Sequence, residues 1–294
     1  MLNINGRTSV YGIIGNPISH TLSPMIHNTI SEKMGIDSVY VPFVANDDLK
    51  SIVRGLYSLG VKGINVTVPY KTDIISELCG IDEMAASIGA VNTLKYTESG
   101  YYGYNTDILG LERELEDEGI SLEGRDVILL GAGGASRAVA FMCMSGSPAS
   151  ITIVNRTLSK AEDIKRDIIS YAGSKGQLLP EPSVEAVTFE DLLSTGNSEC
   201  IVFQCTNVGL APDNDACVLC DEGFYKKVSA GIDLIYRPAR TRFMKYVEDA
   251  GGAAYNGLKM LIYQAVCAFE IWNEIKVPDQ VIWDIENTLI SQDG

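Results

Sequence analysis

Positive charge is what this chain has least of relative to need. It carries 23 Lys and Arg against 38 Asp and Glu, a net charge of −15. So acidic a balance excludes nucleic acid as the natural partner, because neutralising phosphates takes a basic surface. Histidine is scarcer still, with only His20 and His27 in 294 residues. That leaves little for a metal centre. "CVLC" (Cys217–Cys220) has C-x-x-C spacing, but a structural zinc needs four ligands and no second pair stands at a suitable distance. No metal is expected. No apolar run approaches the ~18 residues of a membrane span, and the opening "MLNINGRTSV" lacks a basic n-region and an apolar h-region. The cysteines are odd in number, seven, and sit mostly in apolar surroundings such as "AFMCM" and "QAVCAF". Reduced thiols and a cytoplasmic protein away from membranes are the expectation.

What the chain does have is an alternation of strand-like and helix-like segments, the mark of α/β architecture. A length of 294 residues with 46% hydrophobic and 21% charged content suits two domains. In the first third, strands are expected over 10–14, 39–44, 63–68 and 90–96, and helices over 24–34, 47–59 and 71–78. "SGYYGYNTD" then reads as a strand and a turn, with Asp107 placed to start a helix. The polar "DEGISLEGRD" (117–126) is the best linker candidate, although Asp107 could already begin the crossing. A second α/β unit follows, with strands over 127–130, 151–154, 201–204 and 230–234. The mostly apolar helix "GLKMLIYQAVCAFEIW" (257–272) has no alternating partner after it and is expected to pack back on the first domain.

"DVILLGAGGASRAVAFM" runs from a buried-type strand through Gly131, Ala132, Gly133, Gly134 and Ala135 into a helix. Gly131 permits a tight turn, Gly133 lets the backbone approach a pyrophosphate, and the helix start offers free N–H groups. The third fingerprint position is Ser136 rather than Gly or Ala. NAD sites place a carboxylate at the end of the next strand for the ribose 2′-OH. Here "ITIVNRTLSKAE" supplies Asn155, Arg156 and Thr157, with Lys160 one turn on. Arg156 can grip a phosphate in bidentate fashion, so NADP(H) is the expected cofactor. The plainer alternative is a solvated Arg156 and a capping box in "SKAE".

A dinucleotide module needs a substrate site. "GINVTVPYK" carries Asn65, Thr67 and Lys71 at a strand end, "GAVNTL" offers Asn92, and "YNTD" offers Asp107. "GNPISHTLSP" adds several hydroxyls in one loop. Without a metal, oxidation of a secondary alcohol needs Lys, His or Tyr to take the proton, and Lys71 beside Asp107 can do so. The alternatives are a solvated helix-start lysine and an N-cap aspartate. Gln264 interrupts an apolar helix face and needs a partner, a ligand hydroxyl or merely a backbone group.

"GNPISHTLSP", "NVTVPYK", "GAVNTL", "YNTD", "GAGGASRA", "NRT" and "GLKMLIYQA", in this order from about Gly12 to Trp272, resemble the shikimate dehydrogenases. The resemblance implies a substrate-binding catalytic domain (1–106 plus 257–294) and a Rossmann-type NADP-binding domain (107–256), with a cleft between them that closes over the ligands. It implies NADPH-dependent reduction of 3-dehydroshikimate to shikimate, on the route to chorismate and aromatic amino acids, by a monomer or homodimer. Carried over by motif, Lys71 and Asp107 are the proton relay. Thr21 and Ser23 hold the substrate carboxylate, Tyr236 approaches it, and Thr67, Asn92 and Gln264 contact ring hydroxyls or order the site. Gly131–Ala135 match the phosphate loop, and Asn155, Arg156, Thr157 and Lys160 the 2′-phosphate segment. Thr206, Leu234 and Gly257 match the nicotinamide side, and Glu83 a position near the cofactor.

The chain departs from the family pattern at three places. Thr21 stands where Ser is usual, Ile108 follows "NTD" where Gly is frequent, and Lys259 occupies the place of a second Gly in "GLKML". Two alternatives accompany the resemblance. A quinate or quinate/shikimate dehydrogenase would have to fit an extra ring hydroxyl, and relatives of that kind often accept NAD. A non-catalytic NADP sensor could dispense with Lys71 or Asp107, and both are present.

Overall fold

The computed structural model describes residues 4–175, 182–194 and 199–292. In chain order its elements are β1 (Ser9–Gly15), α1 (Ser23–Met34), β2 (Ser38–Val44), α2 (Leu49–Ser58), β3 (Gly63–Val66), a 3-10 turn (Asp73–Glu77), β4 (Gly80–Ile81), α3 (Glu83–Ile88), β5 (Thr93–Thr97), β6 (Gly100–Tyr104) and α4 (Thr106–Asp117). Then come β7 (Asp126–Leu130), α5 (Gly134–Ser145), β8 (Ser150–Val154), α6 (Leu158–Lys175), β9 (Ser183–Val187), α7 (Phe189–Ser194) and β10 (Cys200–Gln204). The chain ends with α8 (Glu222–Tyr225), β11 (Val228–Asp233), α9 (Arg242–Asp249), β12 (Ala253–Asn256), α10 (Leu258–Asn273) and α11 (Asp279–Gln292). Two compact units result: Met1–Leu111 with Leu261–Gly294, and Glu112–Met260.

The first unit holds a mixed sheet of order β2-β1-β3-β5-β6-β4. β1 pairs in parallel with β2 and β3, while β5 runs antiparallel to both β3 and β6. Strand alternation sends neighbouring residues of β1 to opposite faces. Ile14 joins Ile64, Val66, Leu94 and Tyr101 on one face, beside Val53 and Leu56 of α2. Tyr11 and Ile13 join Tyr40, Ala268 and Trp272 on the other. The apolar helix α10 covers that second face: the Trp272 indole donates to the Leu94 carbonyl at 2.9 Å, and the Tyr11 hydroxyl donates to Asn273 Oδ1 at 3.0 Å. Asp48 caps α2 by accepting from Ser51 N, and Asp82 caps α3 by accepting from Met84 N.

The second unit holds a wholly parallel sheet of order β12-β11-β10-β7-β8-β9. Its central strands read as continuous apolar runs because helices cover both faces. Ile128, Leu130, Val154 and Val202 pack with Phe243, Met244 and Val247 of α9.

Several boundaries differ from those expected from periodicity. The strand expected over 63–68 stops at Val66, where Pro69 ends the ladder and Tyr70 N turns back to the Thr67 carbonyl at 3.0 Å. The helix expected over 71–78 is only the 3-10 turn Asp73–Glu77. The strand expected over 90–96 begins at Thr93, since Val91 N and Asn92 N bond the carbonyls of Lys71 and Tyr104 instead. The polar stretch 117–126 is not where the units divide. The boundaries fall at Leu111/Glu112 inside α4 and at Met260/Leu261 inside α10. A continuous helix carries no composition signal at such a point. Within the second unit, Lys259 of α10 pairs with Asp117 at 2.5 Å and with Glu118. Beside them Glu114 is 1% exposed. Burial and the neighbouring Glu118 push its carboxyl up to about 8.

Candidate active site

Lys71 lies in the turn between β3 and the 3-10 segment, and its Nζ is 2.6 Å from Asp107 Oδ2. Asp107 opens α4, yet its carboxylate is not spent on capping: Asn105 Oδ1 accepts from Asp107 N at 3.1 Å and does that work. The side chains keep 33% and 21% of their accessibility, so the pair is open to a ligand on one side.

Thr21 and Ser23 sit where the loop after β1 enters α1. Their hydroxyls are 3.1 Å apart, and Thr21 Oγ1 also accepts from Ser23 N at 3.3 Å. Two hydroxyls this close can serve one carboxylate. The same loop is tied to the Lys71 turn, with Asn16 N donating to the Val68 carbonyl at 3.3 Å and Thr67 N to that of Ile14 at 3.0 Å. Asn92 is buried, and its Oδ1 accepts from Thr106 N at 2.7 Å, one residue before Asp107. Lys71, Asp107, Thr21, Ser23, Thr67 and Asn92 thus all stand on the turns, strand ends and helix starts around one sheet. Gln264, in the same unit, donates to the Leu261 carbonyl of its own helix at 2.8 Å. Glu83 is exposed in the first turn of α3. Histidine takes no part in the pair. His27 is buried and stacked on Tyr40 at a centroid distance of 4.1 Å, and His20 is exposed in the loop.

In the second unit the glycine turn stands at a switch of strand order. β7 has β8 on one side and β10 on the other, and ligands bind at such points beyond the carboxyl ends of strands. Gly131 has φ +112° and a Cβ there would come within 2.8 Å of Thr206 Cγ2, so the loops after β7 and β10 touch only because the residue is glycine. Ser136, the departure from the fingerprint, is buried and donates to the Gly131 carbonyl at 2.6 Å, closing the turn with its own hydroxyl. Gly133, Gly134 and Ala135 are exposed, and the N-terminus of α5 has no side-chain cap. The N–H donors of such a helix start suit a pyrophosphate.

Asn155, at the end of β8, donates through Nδ2 to the Thr157 carbonyl at 2.9 Å and sets the turn into α6. Arg156, Thr157 and Lys160 around it are exposed. No carboxylate stands at this strand end, so two cations and a hydroxyl suit a 2′-phosphate. Thr206 N and Oγ1 both donate to Gln204 Oε1, at 2.7 and 2.6 Å, which fixes the loop after β10. Gly257 lies against Leu234, whose carbonyl oxygen would be 2.4 Å from an added Cβ. Tyr236 follows on the same loop and is half-buried. Among the described residues no group of three or more His, Cys, Asp or Glu side chains could hold a metal ion. Cys217 Sγ instead donates to the Leu219 carbonyl at 3.0 Å. No helix among the described residues is long and apolar enough to cross a membrane.

Tyr40, Asn65, Thr93 and Thr106, buried polar residues that link these groups, were not legible as a set. Tyr40 sits in "SVYVPFV", which reads as ordinary core strand. The one available signal is general: a buried tyrosine hydroxyl needs a partner.

Three family models match the chain. Residues 13–94 match the shikimate dehydrogenase substrate binding domain, 113–212 the shikimate/quinate 5-dehydrogenase family, and 257–285 the shikimate 5'-dehydrogenase C-terminal domain. The chain is 38% identical over 291 residues to a shikimate dehydrogenase (NADP(+)) from Methanothermobacter thermautotrophicus, covering 99% of this chain and all of the relative. Among solved structures, a shikimate dehydrogenase in complex with NADP+ is 34% identical with a TM-score of 0.87, covering 99% of this chain and 98% of the other. A shikimate 5-dehydrogenase from Listeria monocytogenes, in complex with shikimate and NAD, is 30% identical with a TM-score of 0.86, covering 96% and 98%. Similarity that runs the full length of both sequence and fold places this chain in the shikimate dehydrogenase family.

Proposed function

We propose that the chain is an NADP-dependent shikimate dehydrogenase that interconverts 3-dehydroshikimate and shikimate, with Lys71 and Asp107 as its proton relay. The observation that carries the relay is the 2.6 Å pair itself, half-open to solvent, with Asp107 released from capping by Asn105. In the reducing direction Lys71 gives a proton to the carbonyl oxygen as that oxygen becomes the hydroxyl; in the oxidising direction it takes the proton back. Asp107 holds the Lys71 amine in place between turnovers and supports its charge.

NADP(H), when bound, supplies or accepts the hydride at the ring carbon. The Gly131–Ala135 turn and the α5 N-terminus would hold its pyrophosphate, and Asn155, Arg156, Thr157 and Lys160 its 2′-phosphate. Thr206, Leu234 and Gly257 line the nicotinamide side. Thr21 and Ser23 bind the substrate carboxylate as neutral donors, and Thr67, Asn92 and Gln264 serve the ring hydroxyls. For Tyr236 at the carboxylate and Glu83 near the cofactor, motif position alone supports the role. The substrate-binding part, expected over 1–106 with 257–294, corresponds to the first unit, and the NADP-binding part, expected over 107–256, to the second. The seven cysteines are all free, which supports a cytoplasmic setting, with the protein a monomer or homodimer.

Specificity constants for shikimate and quinate, each with NADP and NAD, test this reading. The expected order puts shikimate with NADP first; a higher constant for quinate with NAD overturns it.

A further inference from the structure

Six polar side chains form one buried chain through the first unit: Ser23, Tyr40, Asn65, Thr93, Asn92 and Thr106, all at most 6% exposed. Burying so many polar groups is costly unless each is bonded, and here the bonds run in sequence. The Tyr40 hydroxyl donates to Asn65 Oδ1 at 2.7 Å. Asn65 Nδ2 donates onward to the Asn92 carbonyl at 3.2 Å and to Thr93 Oγ1 at 3.0 Å. Thr93 Oγ1 in turn donates to Asn92 Oδ1 at 3.0 Å. Thr106 N donates to the same Oδ1 at 2.7 Å. The residue after Thr106 is Asp107.

The direction of this chain follows from backbone groups that can play only one role, the Asn92 carbonyl and the Thr106 N–H. A carboxamide has an acceptor end and a donor end, and its partners decide which way it faces. The Asn92 carbonyl can only accept, so Asn65 turns Nδ2 toward it and Thr93 and leaves Oδ1 facing Tyr40, whose O–H is the donor that satisfies this buried oxygen. The Thr93 and Thr106 hydroxyls, 3.0 Å apart, both reach Asn92 Oδ1, Thr93 at 3.0 Å and Thr106 at 3.2 Å. Asn92 then has Oδ1 fully engaged, and Nδ2 is the end left for a ligand. Tyr40 itself is held rigidly: its ring stacks on His27 at 4.1 Å and 7°, and Trp272 packs beside it with centroids 6.2 Å apart. The Ser23 hydroxyl neighbours its phenol.

We propose that Tyr40 is a positioning residue for substrate recognition: its buried hydroxyl holds the amide of Asn65 and, through Thr93, reinforces the orientation that Thr106 N gives the amide of Asn92, so that Asn92 presents an N–H donor to a ring hydroxyl of the substrate. The proposal rests on the reading of Asn92 as a substrate ligand. It makes the selectivity for a polyhydroxylated ring acid depend on a residue that touches no substrate.

The test uses the full-length enzyme. Tyr40→Phe keeps the ring, the stack on His27 and the packing on Trp272, and removes only the donor. The expected result is a KM for shikimate raised roughly ten-fold with kcat within about two-fold and KM for NADP unchanged, the pattern of lost uniform binding. Because the effect passes through Asn92, it should vanish in an Asn92→Ala background, so that the double variant binds shikimate no worse than Asn92→Ala alone. An unchanged KM in Tyr40→Phe, or a KM increase that persists undiminished in the Asn92→Ala background, overturns the proposal. If Tyr40→Phe does not fold, Thr93→Val interrupts the same relay with an isosteric side chain, and the same two outcomes decide. An Asn92→Ala variant with unchanged KM for shikimate would instead remove Asn92 from the substrate site, a failure of the underlying reading rather than of the relay.

Discussion

Asp107 stands 2.6 Å from Lys71 across 36 residues of chain, and it does so as the second residue of a helix whose cap is supplied by its neighbour Asn105. The pair is therefore positioned by two independent local structures, a turn after β3 and a helix start after β6, that the β5–β6 hairpin brings together.

Lys71→Ala is expected to lower kcat by several orders of magnitude with a modest change in KM for shikimate, because proton transfer fails in the transition state while binding persists. Asp107→Asn should fall in the same direction, and the double variant should be little worse than Lys71→Ala, since the two act as a unit. Steady-state kinetics at saturating NADP decide this. Unchanged turnover in Lys71→Ala removes it from the relay.

Arg156→Ala should raise KM for NADP about 10- to 100-fold, the worth of a hydrogen-bonded charge pair of about 1.5–3 kcal/mol. Kinetics with NAD should stay as they were, because NAD has no 2′-phosphate to lose. An equal loss with both cofactors would mean that Arg156 shapes the turn rather than reads the phosphate.

How much of this was readable in advance divides along a physical line. The Gly131–Ala135 turn and the Asn155–Lys160 segment are local: strand, turn and helix lie within a few residues, so composition and spacing describe them. The Lys71–Asp107 pair is not local. Its partners meet only through the strand order β3-β5-β6, and residue spacing alone left each with an ordinary alternative, solvent for one and a cap for the other. Family resemblance supplied the pairing that periodicity lacked. The buried relay from Tyr40 was invisible for a different reason, since an aromatic residue between β-branched neighbours is what any core strand contains. The unit boundaries escaped because they fall inside α4 and α10, two helices that run on through the division.

His27 makes stability sensitive to acid. Burial holds the imidazole at about 3, well below its ordinary 6.5, and neither ring nitrogen has a hydrogen-bond partner. Asn65 nearby offsets only part of that burial. Between pH 6.5 and about 3 the unfolded chain binds the extra proton, so the stability this neutral histidine permits is present above 6.5 and is lost as pH falls. His27→Phe should keep the stack on Tyr40 and lack this term. Its Tm relative to wild type should climb as pH drops below 6.5 and stay flat above. A pH-independent difference would show that His27 does not titrate with unfolding.

Glu114 works in the opposite sense. Burial first, then Glu118 and Asp117, push its folded carboxyl up to about 8 from an ordinary 4.5, with Lys259 and the Met260 backbone partly relieving it. The folded state therefore holds the proton over that interval, and stability falls as pH rises from about 4.5 to about 8. Glu114→Gln, which is neutral throughout, should gain on wild type across the same range and level off above it. Thermal unfolding of both proteins at a series of pH values measures the gap, and a constant gap would mean that Glu114 ionises freely.

The placement of the unit boundaries inside α4 and α10 has a consequence for how the protein is made. Residues 112–260 form one uninterrupted length, so the parallel sheet has all its strands once that length has left the ribosome. The earlier unit cannot finish first although its strands are synthesised first. Tyr11, His27 and Tyr40 wait for Phe269 and Trp272 to cover them. During synthesis the first-made sheet bears an uncovered aromatic face while the second-made sheet completes, and that interval is when a nascent chain is most in need of a chaperone.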